Sequence, residues 1–121
     1  MMTFEKARRE VDRDPRSWLG SEVGKELVEA GVTTPLESPN PEFLYLFGRA
    51  NLLTGNPDEA ARAFEAAITR AAGTASASNE TIRKEAALGL AAASLKTQKD
   101  REKALLHYDE VLKPPAAPGS P

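Results

Sequence analysis

Two strongly helical stretches, separated by a very short break, constrain this chain more than any other feature. Residues 41–54 carry apolar side chains around most of a helical circumference, so this helix must be buried on two sides. Residues 57–72 repeat small and apolar residues at helical spacing. Between them, Gly55 ends the first helix and the pair Asn56-Pro57 starts the second. Because so short a connection joins neighbouring helices, this stretch predicts an antiparallel helical hairpin.

Four further helices are predicted on either side of this hairpin. The spacing of apolar residues predicts helices over residues 3–13 and 15–30, the second beginning with an Asp-Pro pair. After the hairpin, it predicts a helix at 79–97, a turn at 98–100 and a last helix at 101–112. No stretch reads as a strand. The sequence therefore predicts an all-α fold of about six helices arranged as antiparallel helical hairpins.

The predicted elements group into three segments. Residues 1–31 form an N-terminal helical cap, separated from the rest by a proline-containing linker at 32–40. Residues 41–113 form a domain of two helical hairpins. Residues 114–121, rich in proline and small residues, have the composition of a disordered tail.

Composition limits the classes of partner. The chain has 16 basic and 18 acidic residues, a balance that argues against a nucleic-acid surface. No apolar run approaches the roughly 20 residues that span a bilayer, so we expect no membrane partner. The chain contains no cysteine, and its first residues lack the apolar core of a signal peptide. We therefore expect a cytoplasmic protein.

The two predicted hairpins carry related residues at the same spacing. In each, a small residue is followed 12, 16 and 19 residues later by a small, an aromatic and an apolar residue. The first set is Gly48, Ala60, Phe64 and Ala67. The second set is Ala92, Ala104, Tyr108 and Val111. Small residues at the first two positions let antiparallel helices approach closely, and the aromatic residue fills the space between adjacent pairs.

This pattern resembles the tetratricopeptide repeat family, whose signature W-x2-L-G-x2-Y, A-x3-F, P extends over about 34 residues. The first copy here contains Phe47-Gly48 and Ala60-x3-Phe64, and the tract 55–60 is typical of the family's inter-helix turn. The second copy begins 44 residues later, ten more than the family period. The resemblance covers about residues 41–113 and implies a tetratricopeptide-like α-α superhelix.

The resemblance also implies a binding surface. In such arrays the first helix of each hairpin lines a concave face that binds a peptide or a helix of a partner. The partner-binding residues that it implies here are Tyr45, Arg49, Leu52 and Lys96. Tyr45 and Arg49 are one turn apart and belong to types enriched at binding hot spots. In the alternative interpretation, Tyr45 packs against the N-terminal helices and Arg49 makes an ion pair with Glu42 or Glu65.

The titratable residues do not form a catalytic or metal-binding pattern. His107 is the only histidine, and no nucleophile or orienting acid is placed beside it. Glutamate pairs such as Glu22 and Glu26 have helical spacing but no histidine partner, which favours a solvated helix face. We therefore expect a protein that is not an enzyme, needs no cofactor or metal, and binds another protein or a peptide.

An alternative is a structural role. Two hairpins fall short of the three or so repeats that make such arrays self-sufficient. The chain could then be a fragment of a longer tetratricopeptide array, or a self-associating scaffold and thus a homo-oligomer. In the self-associating form, Leu105, Tyr108 and Leu112 of the last helix would join the copies.

Overall fold

The computed structural model describes residues 3–73 and 76–112, which are helical almost throughout. It has five α-helices: α1 (Phe4–Arg13), α2 (Pro15–Ala30), α3 (Pro41–Leu53), α4 (Pro57–Ala72) and α5 (Ala77–Leu112). One turn of 3-10 helix, Pro35–Glu37, lies between α2 and α3. The described residues contain no strand, so the prediction of an all-α fold is confirmed.

Local sequence signals set most helix ends. The Asp14 side chain accepts a hydrogen bond from the Ser17 amide, and the Asn40 side chain accepts from the first amides of α3. A proline occupies the first turn of α2, α3 and α4, where its missing N–H costs nothing. Gly31 and Gly55 have φ of 68° and 89°, left-handed values that glycine adopts without strain.

Helix α3 is the centre of the fold. It packs against α1 and α2 on one side and against α4 and α5 on the other. Eight of its thirteen residues are buried, as expected for a helix with apolar side chains around most of its circumference. The N-terminal helices therefore cover α3.

Phe64 of α4 fills the space where α3, α4 and α5 meet. Its ring is fully buried and lies between Gly48 of α3 and Gly89 of α5. A Cβ at Gly48 would come within 2.8 Å of the ring, and one at Gly89 within 2.6 Å. Because carbon atoms in contact are normally about 3.5–4.0 Å apart, only glycine fits at these two positions without moving the ring.

The predicted turn at 98–100 is wrong, since α5 runs without interruption across it. The segment 96–103 contains neither glycine nor proline, so nothing in it stops a helix. Two side-chain pairs four residues apart also stabilise helix there: Lys96 with Asp100 at 3.0 Å, and Gln98 with Glu102 at 3.3 Å. The second hairpin is therefore one long helix, and the hairpin pattern is limited to α3 and α4.

Other expectations lie outside the described residues. These are the disordered tail at residues 114–121 and the side chains of Ala104, His107, Tyr108, Val111 and Leu112.

Candidate functional site

Tyr45, the first of the predicted partner-binding residues, lies in the core. Only 1% of it is exposed. Its ring lies between Phe4 of α1 and Phe64 of α4, with ring centroids 5.4 and 5.7 Å away. Its hydroxyl accepts a hydrogen bond from Arg49 Nη1 at 3.3 Å. A partner cannot reach this ring while α1 is in place.

Arg49 links α3 to α1. Its guanidinium grips both carboxylate oxygens of Asp12, through Nε to Oδ1 and through Nη2 to Oδ2, the latter at 3.0 Å. The hydrogen bonds to Asp12 raise the pKa of Arg49 above its usual value. Such a two-point contact fixes the direction of the guanidinium. The ion-pair partner of Arg49 is therefore Asp12, and not Glu42 or Glu65 as the alternative interpretation expected. That interpretation also expected Tyr45 to pack against the N-terminal helices, which agrees with the structure.

The other two predicted residues do not join this pair in an open surface. Leu52 is partly buried and packs against the core. Lys96 is half exposed on α5 and donates to Asp100 of its own helix at 3.0 Å. The structure thus brings together Tyr45 and Arg49, but they face α1 instead of a groove.

The outer face of α5 is the apolar surface that the sequence reasoning missed. Leu88 is 68% exposed and Leu95 is 52% exposed, and the exposed Ala91 and Ala92 lie between them. Seven residues turn a helix by about 700°, so the two leucines lie within about 20° of one line along its surface. We call these four residues the leucine face.

The opposite side of α5 holds the helix on the rest of the protein. Its buried residues are Ile82, Ala86 and Ala93, and Gly89 contacts Phe64. Ala86 and Ala93 are turned by about 140–160° from Leu88 around the helix axis. Helix α5 therefore has two apolar sides, and only one of them is used within the described residues.

Helix α5 also extends beyond the start of α4. The hydroxyl of Thr97 donates to the Asp58 carboxylate at 3.1 Å, which places Thr97 beside the first turn of α4. Arg101 is the last α5 residue in the shallow hollow next to Pro57 and Asp58. From there the helix continues for eleven residues, or about 16 Å, with Leu105 and Leu106 exposed.

A signal for the leucine face was present in the sequence. Leu88 and Leu95 are spaced by seven residues, as are Ala86 and Ala93, and the two pairs point to opposite sides of one helix. A helix with one buried side needs only one such stripe. The second stripe therefore indicates a second apolar side of this helix.

An acidic hollow of about 280 Å³ lies between α2 and α3. Its rim carries four carboxylates and the ammonium group of Lys25. Trp18 and Phe43, whose rings stack at 5.8 Å, also line it. Ser38 donates to one rim carboxylate, that of Glu26, at 2.6 Å. Burial raises the pKa of Glu42, another rim residue. Within residues 3–73 and 76–112, no group of three or more His, Cys, Asp or Glu residues is arranged to hold a metal ion.

No protein-family model, no curated protein and no solved structure matches this chain. None of the helices in the described part of the chain combines the length and apolar character needed to cross a lipid bilayer.

Proposed function

We propose that this protein is a non-enzymatic protein-binding module that binds an apolar-faced helix of a partner protein along α5. The observation that carries the proposal is the leucine face. Leu88 and Leu95 remain mostly exposed on a helix whose opposite side is packed against α4. Burying a leucine that is exposed contributes about 1.5–3 kcal/mol, so two such residues on one line provide a driving force for association.

Helix α5 has the rigidity that helix recognition needs. Its inner side packs against α4 and α3, and Ile82, Ala86 and Ala93 on that side are buried. A partner helix therefore meets a surface that is already ordered, and association does not have to immobilise the backbone of α5. Helix-on-helix recognition of this kind uses apolar residues repeated every three, four or seven positions, as Leu88, Ala91, Ala92 and Leu95 are.

The resemblance to the tetratricopeptide family supports the same class of function. The resemblance is limited to the α3–α4 hairpin, where Gly48 and Phe64 are in contact and Gly55 turns the chain. Proteins built from such hairpins commonly bind peptides and helices. We propose a single hairpin of this type, covered by α1 and α2 on one side and by α5 on the other, in a cytoplasmic protein.

The experiment is an affinity capture with matched charge substitutions. The variant Leu88→Glu/Leu95→Glu places two carboxylates on the leucine face, and Val28→Glu places one on α2, where Val28 is 83% exposed. A protein captured by the wild type and by Val28→Glu, but lost with the double variant, is then purified and titrated against all three. Equal binding to the double variant and the wild type would refute the site.

The structural alternative is a self-associating scaffold. Leu105 and Leu106, both more than 60% exposed near the end of α5, favour it. Sedimentation across a dilution series tests it, because a scaffold of this kind changes its mass with concentration and a strict monomer does not.

A further inference from the structure

Helix α1 covers the part of α3 that carries Tyr45 and Arg49. The ring of Phe4 lies 5.4 Å from the ring of Tyr45. The Asp12 carboxylate accepts two hydrogen bonds from the Arg49 guanidinium. An apolar contact and an ionic contact, one helical turn apart on α3, therefore join α1 to the same face of that helix.

A second ion pair connects α1 to α5. Arg8 lies 3.8 Å from the carboxylate of Glu85. Beneath α1 the protein thus presents an aromatic ring, a positive group on α3 and a negative group on α5. We call these three residues, Tyr45, Arg49 and Glu85, the covered surface.

Helix α1 is weakly attached to the protein. Seven of its ten residues are charged, and only Ala7 and Val11 are buried. The side chains of both ion pairs are 33–39% exposed, and pairs with that much solvent contribute little to stability. An isolated helix of this length, shorter than roughly 12–15 residues, is also marginal in water. Opening of α1 should therefore cost much less than unfolding of the whole protein.

The connection between α1 and α2 can act as a hinge. Asp14 alone separates the two helices, and it has an extended φ of −152°. Pro15 after it prevents the helices from joining into one. Because the Asp14 side chain accepts a hydrogen bond from the Ser17 amide, α2 keeps its own cap when α1 moves.

We infer that α1 is an autoinhibitory helix, and that a helix of a partner protein with the same chemistry displaces it and binds the covered surface. This surface is distinct from the leucine face, and its use does not rest on the proposed function. The structure of α1 defines the partner, which carries an aromatic, a small, a basic, a β-branched and an acidic residue in the spacing of Phe4, Ala7, Arg8, Val11 and Asp12.

The two charges fix the direction of the partner helix. In α1 the basic residue pairs with Glu85 and the acidic residue, one turn later, pairs with Arg49. A helix that ran in the opposite direction would bring like charges together at both positions, which disfavours it.

Competition between α1 and the partner has a measurable consequence. A partner binds only the fraction of molecules in which α1 is open, so its apparent dissociation constant is the intrinsic one divided by that fraction. A substitution that loosens α1 and leaves the covered surface intact therefore increases the partner's affinity. A helix with a structural role alone gives no such gain.

Hydrogen exchange of the full chain tests the opening. The amides of residues 8–13 in α1 should exchange at least about ten-fold faster than the helical amides of α2 and α3. If α1 and α3 exchange at the same rate, α1 opens only when the whole protein unfolds. If α1 and α2 exchange at the same rate, the hinge is not at Asp14. Either result would overturn the inference.

The second experiment measures binding of a separate copy of α1. The probe is a fluorescein-labelled peptide of residues 3–14, held helical by a staple between positions 5 and 9, whose side chains are more than 70% exposed in α1. Fluorescence anisotropy compares the wild-type chain with Asp12→Asn, which loosens α1. The matched control is Arg9→Gln, which removes a charge from the exposed side of α1.

We expect Asp12→Asn to bind the peptide about two- to five-fold more tightly than the wild type, and Arg9→Gln to bind it as the wild type does. An equal gain in both variants, or no gain in Asp12→Asn, would contradict displacement of α1. Absence of binding to every variant at about 1 mM peptide would also overturn the inference, but would leave the proposed function untouched because that function uses α5.

A charge exchange locates the peptide. In Arg49→Asp, a peptide that carries Asp12→Arg should bind about five- to thirty-fold more tightly than the unchanged peptide. The Asp12→Asn chain, which keeps Arg49, should show the opposite preference, and this comparison remains informative if Arg49→Asp does not fold. A chain that binds both peptides equally would show that the peptide lies elsewhere, and the inference would be wrong.

Discussion

The contact between Phe64 and Gly89 makes a specific prediction about a single methyl group. In Gly89→Ala, the new Cβ would lie 2.6 Å from Cζ of Phe64. The ring is fully buried, with Tyr45 at 5.7 Å on one side and the backbone of Gly48 on the other. It therefore has no free space to move into, and we expect α5 to shift away from α4.

The magnitude follows from two opposing effects. Replacing glycine by alanine inside a helix stabilises it by about 0.5–1 kcal/mol. Overpacking a well-filled core costs about 1–3 kcal/mol. The net change for Gly89→Ala is thus a destabilisation of about 0–2.5 kcal/mol. The matched control is Gly24→Ala in α2, where a Cβ would meet nothing within 4 Å, so the control keeps the full gain in helix stability.

Urea unfolding followed by circular dichroism measures the difference between the two variants. We expect Gly24→Ala to be more stable than Gly89→Ala by about 1–3 kcal/mol, the cost of overpacking alone. In the background of Phe64→Leu, which removes most of the ring, Gly89→Ala should no longer destabilise. If Gly89→Ala instead stabilises the wild type as much as Gly24→Ala does, the packing of α5 on Phe64 is wrong.

Three further predictions concern α1, the acidic hollow and the two sides of the fold. Arg49→Lys loses the two-point contact with Asp12 and should destabilise the protein by up to about 1 kcal/mol. Urea unfolding at low salt and in 1 M NaCl checks this, because salt screens the ion pair and the loss should be smaller in 1 M NaCl. Because burial raises the folded-state pKa of Glu42, the folded protein binds more protons than the unfolded chain, and its stability falls as the pH rises through the carboxylate range. Glu42→Gln should remove this loss of stability. A variant that is no more stable than the wild type at pH 7 would contradict the prediction. Leu44→Ala should lower the free energy of unfolding by about 2–5 kcal/mol because Leu44 is fully buried. Leu88→Ala should lower it by less than about 0.5 kcal/mol, since Leu88 is mostly exposed. Thermal unfolding compares the two variants, and equal losses would contradict the exposure of the leucine face.

The ends of the first four helices could be predicted from the sequence because their signals are local. Asp14-Pro15, Asn40-Pro41 and Asn56-Pro57 each begin a helix in the structure. An Asp or Asn followed by proline favours a helix start whatever the rest of the chain does. The short connection at Gly55 likewise predicted the α3–α4 hairpin correctly, since only adjacent helices can be joined by so few residues.

The course of α5 could not be predicted in the same way. The turn at 98–100 came from matching a second copy of the repeat, not from a residue that stops a helix. Charged residues such as Lys99 and Asp100 occur both at helix starts and in helix interiors. In the structure the helix continues through this segment, where Lys96 pairs with Asp100 and Thr97 contacts Asp58 of α4.

The surroundings of Tyr45 and Arg49 depend on tertiary structure. The sequence shows that the two residues are one turn apart, but not which helix lies over them. Asp12, the partner of Arg49, is 37 residues away in the sequence. Tyrosine and arginine are frequent both at interfaces and at the edges of cores, so residue type alone cannot distinguish the two.

The continuity of α5 is the feature that leaves the leucine face open. It can be measured with spin labels on Ala87→Cys and Asp109→Cys in the same cysteine-free chain, diluted with unlabelled protein so that only distances within one protomer are recorded. One uninterrupted helix separates the two backbone positions by about 33 Å. A turn at 98–100 would bring them within about 15 Å, the spacing of packed helices, and that result would contradict both α5 and the binding surface it presents.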